Sequence, residues 1–125
     1  MDVLEMRRRV AEPQIAALVD RFYDRVRDDS LLGPVFATRI EPRAWPRHLA
    51  TMRSFWSTVL IGTGTYRGDP MVAHQAIEGI DRGHFTQWLA LFETVVREEF
   101  ADEIGDAIMQ RARRMGDRLT ASMGL

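Results

Sequence analysis

Four long stretches of this chain repeat apolar residues every three to four positions, the spacing that gathers them on one face of a helix. The first starts at Pro13, carries Ile15, Leu18, Val19, Phe22, Tyr23 and Val26, and ends near Asp28 and Asp29. The second follows Pro42 with Trp45, Leu49, Met52, Phe55, Trp56, Val59 and Leu60, and Pro46 lies in its opening turn, where a missing N–H is tolerated. A third, from about His84, groups Phe85, Trp88, Leu89, Phe92, Val95 and Val96, and a fourth repeats Ile104, Ile108, Ala112, Met115 and Leu119. No alternating pattern competes, so the spacing predicts an all-α fold of two long helices, a broken middle and two more long helices. In that middle, SLLGPVF (Ser30 to Phe36) reads as a tight corner with Phe36 turned inward. Gly62-Thr63-Gly64-Thr65 begins a loop, and Asp69-Pro70 caps and opens a short helix holding His74.

At 125 residues the chain fits one domain, residues 1–125, with residues 1–11 expected as a loosely ordered N-terminal extension. The 17 basic residues, all arginine, against 18 acidic ones leave a net charge of -1, no field to draw nucleic acid or an anionic membrane. Lacking lysine, the chain has no Schiff-base or P-loop lysine; lacking cysteine, it has no disulfide, thiolate metal site or cysteine nucleophile. Histidine is then the one side-chain nitrogen left as a metal ligand. The opening MDVLEMRRRVAEPQ has charge without an apolar run behind it, and no segment nears the roughly 20 apolar residues of a membrane span, so a cytoplasmic protein is expected.

The three histidines are spaced 26 and 10 residues apart, which supplies no i, i+4 zinc pair. His74, one turn into its short helix, suits either an axial haem ligand or a packed, capped imidazole. His48 shares a helical stripe with Met52, Phe55 and Val59, which suits a pocket wall, and its ring either donates into that pocket or gates it, or lies at the helix edge. Tyr23 is either a buried phenol with a partner or a boundary tyrosine, Trp88 either core or a donor to an electron-rich ligand, and His84 either a capping or exposed residue or a ligand. Met52, Met71, Met109 and Met115 read as adaptable core filling. The loop at Gly62 lacks the GK[ST] of a phosphate cradle, and the arginine clusters at 7–9 and 111–114 read as solvated helix faces.

Taken in order, RFYDRVR with Tyr23, GPVF with Phe36, WPRHLATMRSFW with His48, PMVAH with His74 and HFTQWLALF with Trp88 resemble the third group of truncated haemoglobins, over about Ile15 to Leu119. The resemblance implies a shortened globin in which two helix pairs form a two-over-two sandwich around haem b (iron protoporphyrin IX). It implies His74 as the proximal iron ligand, Tyr23 and His48 as the distal tyrosine and histidine, Trp88 as the pocket tryptophan, and Phe36, Met52 and Phe55 as apolar lining. His84-Phe85 matches the family's His-Phe at the following helix start. The implied activity is reversible binding of O2, or of NO or CO, with an enzyme reading beside it in which the same polar set, served by an external electron donor, reduces peroxide or detoxifies nitric oxide. Arg53 and Arg67 are the expected candidates for holding the porphyrin's propionates.

Overall fold

The computed structural model describes residues 1–70, 74, 77 and 79–125. Among them there is no strand, and six helices follow in order: α1 (Val3–Arg9), α2 (Glu12–Asp28), α3 (Leu32–Arg39), α4 (Trp45–Ile61), α5 (Arg82–Glu99) and α6 (Asp102–Ser122), with a 3-10 turn at Pro42–Ala44. The four long helices are the four read from periodicity, and their ends follow local chemistry. Pro13 sits in the first turn of α2, where the Gln14 side chain accepts the Ala11 N–H at 2.9 Å. Helix α4 stops at Gly62, whose φ of 66° lets the chain turn left-handed while its N–H reaches the Thr58 carbonyl at 3.0 Å. Asp81 caps α5, accepting the His84 N–H, and Asp102 and Glu103 place negative charge at the start of α6.

Helix α2 packs on both α4 and α5, and α5 on α6. The apolar stripes so apposed bury Ile15, Leu18, Val19, Phe22 and Val26 of α2 against Phe92, Val95 and Val96 of α5, Ile108 and Met109 of α6, and Leu60 of α4. Helix α3 packs beside this core on α2 and α5. Ion pairs between Arg21 and Glu99, Arg25 and Glu98 (2.6 Å), and Arg53 and Asp20 (2.6 Å) stitch the outer edges of α2 to α5 and α4.

Two segments differ from the sequence reading. Residues 1–11, expected as a loosely ordered extension, contain helix α1, whose Met6 is fully buried and Val10 nearly so. Arg7 Nε donates to the Ile61 carbonyl at 3.0 Å and an Arg111 guanidinium N–H to the Met1 carbonyl at 2.7 Å, so the start of the chain is tied to α4 and α6. Three consecutive arginines had hidden the one buried side chain of this helix. The SLLGPVF segment, expected as a corner, is helix α3. Pro34 falls within its first turn, where no N–H is needed, and Asp29 Oδ2 accepts the N–H of Leu31 at 3.1 Å and of Leu32 at 2.8 Å. Gly33 is required by contact: a Cβ there would lie 2.8 Å from the Arg27 carbonyl oxygen, so only glycine lets α3 start this close to the end of α2. Among the described residues no helix is long and apolar enough to cross a membrane.

Candidate functional site

Between α3, α4, α5 and the chain linking α4 to α5 lies a cavity of about 490 Å³, within the range of small-molecule and cofactor sites. Tyr23, Phe36, His48, Met52, Phe55, His74 and Trp88, seven residues from five places in the sequence, all line it. Val59, at the end of the His48 stripe, is not among the lining residues; it packs on the core one turn past Phe55. Met115 and Leu119 of α6 close the far end. Met71 and most of the short helix expected around it lie outside the described residues; Pro70 and His74 are helical.

The polar groups facing this greasy space are held in distinct ways. His74 Nδ1 lies 2.7 Å from the Pro70 carbonyl oxygen. A carbonyl can only accept, so Nδ1 donates, and the other ring nitrogen, Nε2, is the one not engaged by this bond. His48 is held by rings: Tyr23 at 5.1 Å and Trp45 at 5.4 Å between centroids meet it edge-on, with Phe36 at 6.3 Å. Its Nε2 is buried and has no hydrogen-bond partner among the described residues. Burial, and then the nearby His74, push the His48 imidazole below its ordinary pKa, so it is neutral at pH 7. Tyr23 is 5% exposed, and burial raises its phenol well above the ordinary value, which keeps the O–H a donor at any physiological pH.

Trp88 combines the two roles left open for it. It lies parallel to Phe92 at 5.3 Å and Trp56 at 6.4 Å, meets Phe22 edge-on at 5.5 Å, and thus joins the core while lining the cavity. His84 both caps and lines. Its Nδ1 sits 3.1 Å from the Asp81 N–H and 3.0 Å from Asp81 Oδ1, and its side chain is largely covered, so the exposed alternative does not hold. The three histidines do not gather into a metal cluster, and no group of three or more His, Cys, Asp or Glu is placed to hold an ion among the described residues.

The sequence reading missed Arg39, Trp45 and Tyr66. Arg39 and Tyr66 line the cavity, and Trp45 backs His48. A helical reading of 32–39 would have found Arg39, which follows Phe36 by three residues and so shares its face. The two arginines expected to hold propionates do not reach the cavity: Arg53 is engaged by Asp20, and Arg67 is not among the lining residues.

The model of the bacterial-like globin family matches residues 10–121. The group 3 truncated haemoglobin of Campylobacter jejuni is 34% identical over 106 residues, covering 83% of this chain and 84% of that protein. The chain belongs to the group III truncated haemoglobins. The crystal structure of the group III truncated haemoglobin from Campylobacter jejuni superposes with a TM-score of 0.87 at 31% identity, covering 91% of each chain. The six helices accordingly make the two-over-two helical sandwich of a truncated globin. Membership of this globin group implies haem as the cofactor and a diatomic gas as its partner.

Proposed function

We propose that this truncated haemoglobin holds haem b in the 490 Å³ cavity through His74 and reversibly binds O2, or another diatomic gas, on the side facing Tyr23, His48 and Trp88. Haem, when bound, supplies a redox-capable iron with a coordination position open to O2, NO or CO. The residues fit that group. His74 offers a ring nitrogen as a ligand, and its hydrogen bond to Pro70 selects the other nitrogen as donor and orients the ring. Most of the remaining wall is apolar, which suits a flat macrocycle, and Met52, Phe55 and Phe36 supply much of its bulk.

The observation that carries the reading is the buried, unpartnered Nε2 of His48 in a cavity that also receives the Tyr23 and Trp88 side chains. A buried polar atom without a partner costs on the order of 1–3 kcal/mol, and such a cost at a cavity wall marks a group awaiting a ligand. Tyr23 and Trp88 are donors in surroundings of low dielectric, where a hydrogen bond to partial negative charge is stronger than in water. The test is the visible spectrum of the purified full-length protein titrated with hemin. The expected result is a Soret band lost in His74→Ala and kept in His84→Ala. Wild-type protein that takes up no hemin, or a His74→Ala spectrum identical to wild type, overturns the reading.

A further inference from the structure

We propose that Arg39 forms an anion subsite at the cavity mouth that holds a carboxylate of the bound porphyrin, an inference that rests on the haem-binding reading above. Iron protoporphyrin IX is amphiphilic, an apolar plate with two propionate carboxylates at one edge. Its cavity needs greasy walls and at least one cation at the rim. Among the described lining residues Arg39 is the one permanent charge; the others are apolar, neutral polar or histidine.

Nor is Arg39 committed elsewhere among the described residues, as several other arginines are. Arg21, Arg25, Arg53, Arg97 and Arg113 each have a carboxylate partner, and Arg27 lies over the Trp45 ring at 4.5 Å. Arg39 is exposed and has no acidic partner among the described residues. It occupies the last turn of α3, where a cation is favoured by the helix dipole and requires no carboxylate of the chain to settle it. Three residues earlier on the same face, half-buried Phe36 lines the interior, so α3 carries the cavity wall from apolar depth to charged rim within one turn. A guanidinium presents two parallel N–H donors that match a carboxylate, and at an exposed rim that pairing secures orientation as well as affinity.

The experiment measures haem release from the haem-loaded full-length protein to excess apomyoglobin. It compares wild type, Arg39→Ala, Arg39→Lys and Arg47→Ala, each loaded with hemin or with hemin dimethyl ester, in which both carboxylates are masked. With hemin, release from Arg39→Ala is expected to be about 5- to 10-fold faster than from wild type, from Arg39→Lys intermediate, and from Arg47→Ala, an exposed α4 arginine outside the cavity, unchanged. With the diester, all four release at one rate. Equal release of hemin from wild type and Arg39→Ala, or an Arg39→Ala effect that persists with the diester, overturns the anchor alone. Should Arg39→Ala not fold, Arg39→Lys decides: release as from wild type with both porphyrins overturns the anchor. Wild-type protein that retains neither porphyrin overturns the haem reading itself.

Discussion

Of the three imidazoles that line the cavity, His74 and His48 are fixed by opposite means. His74 is aimed by a hydrogen bond, Nδ1 to the Pro70 carbonyl at 2.7 Å, which leaves its other nitrogen free. His48 is aimed by packing, three aromatic rings around it and no partner for its buried Nε2 among the described residues. The difference teaches what each ring is suited for. A hydrogen-bonded imidazole has its donor nitrogen selected and its ring oriented, which serves a permanent ligand. One held only by contacts keeps its polar atoms uncommitted and stays neutral, which serves a ligand that comes and goes.

The strongest way to break this contrast is to remove the ring behind His48. Trp45 is 6% exposed and contacts Tyr23, Phe36 and His48. Trp45→Ala is expected to lower unfolding free energy by about 3–5 kcal/mol in urea titration, the usual cost of emptying an aromatic site. The same substitution admits water beside His48. Its pKa, depressed by burial, should then rise toward the ordinary value, as read from the imidazole proton shifts against pH. Unchanged titration of His48 in this variant would mean that packing does not set its state.

A smaller change isolates the hydroxyl from the ring. Tyr23→Phe keeps the edge-on contacts with Phe22, Phe36 and His48 and deletes one O–H. That O–H has no partner among the described residues, so folding stability should move by less than about 0.5 kcal/mol. O2 dissociation from the haem-loaded protein should accelerate about 5- to 150-fold, the equivalent of about 1–3 kcal/mol for a lost donor. An unchanged dissociation rate by flash photolysis and stopped flow would remove Tyr23 from the polar set.

How far these features were legible in the sequence follows from what each depends on. The long helices were, because ten or more residues of period-3.6 spacing outweigh any single residue's preference. Helix α3 was not, since Gly33-Pro34 reads locally as a break, and only the close approach to α2 and the Asp29 cap turn the pair into a helix start. Helix α1 was not, because Met6 is the one buried side chain among its seven residues. Of the site, His48, Met52 and Phe55 fall on a recognisable stripe, but Tyr23 and Trp88 sit among core residues, and without the family resemblance nothing in their spacing separates pocket from core. Arg39 was lost together with α3.

Asp29 offers a test of the hydrogen-bonded kind of positioning, on groups away from either imidazole. Its carboxylate accepts the Leu31 and Leu32 N–H groups and, at 2.7 Å, the Gln87 side-chain amide, so it joins the start of the helix bearing Phe36 to the helix bearing Trp88. The Leu32 amide first, with Gln87 and Leu31, holds the carboxyl below the usual carboxylate range. A folded-state pKa below the unfolded one means stability that is present above the unfolded value and lost as pH falls through the folded one. Asp29→Ala is therefore expected to cost about 1 kcal/mol at pH 7, and the gap to wild type should close below about pH 4, measured by thermal melts across pH. A gap that persists at pH 2 would assign the loss to backbone preference in place of the ionised cap.

The smallest effect probes the outermost layer of the His48 cage. Arg27 places its guanidinium carbon 4.5 Å from the Trp45 ring centroid, on an exposed face of α2, while His48 meets that ring edge-on. The stack therefore runs from solvent to cavity in three side chains, and a charge at its outer end restrains the ring in the middle. Arg27→Leu retains most of the apolar stem and removes the cation, so the expected loss is about 0.5–1 kcal/mol. If Arg27→Leu and wild type have the same stability and the same His48 titration, Trp45 is held by burial alone. If stability falls and the His48 pKa rises with it, the packing that positions the unpartnered imidazole extends out to the protein surface, a reach that the hydrogen bond fixing His74 does not need.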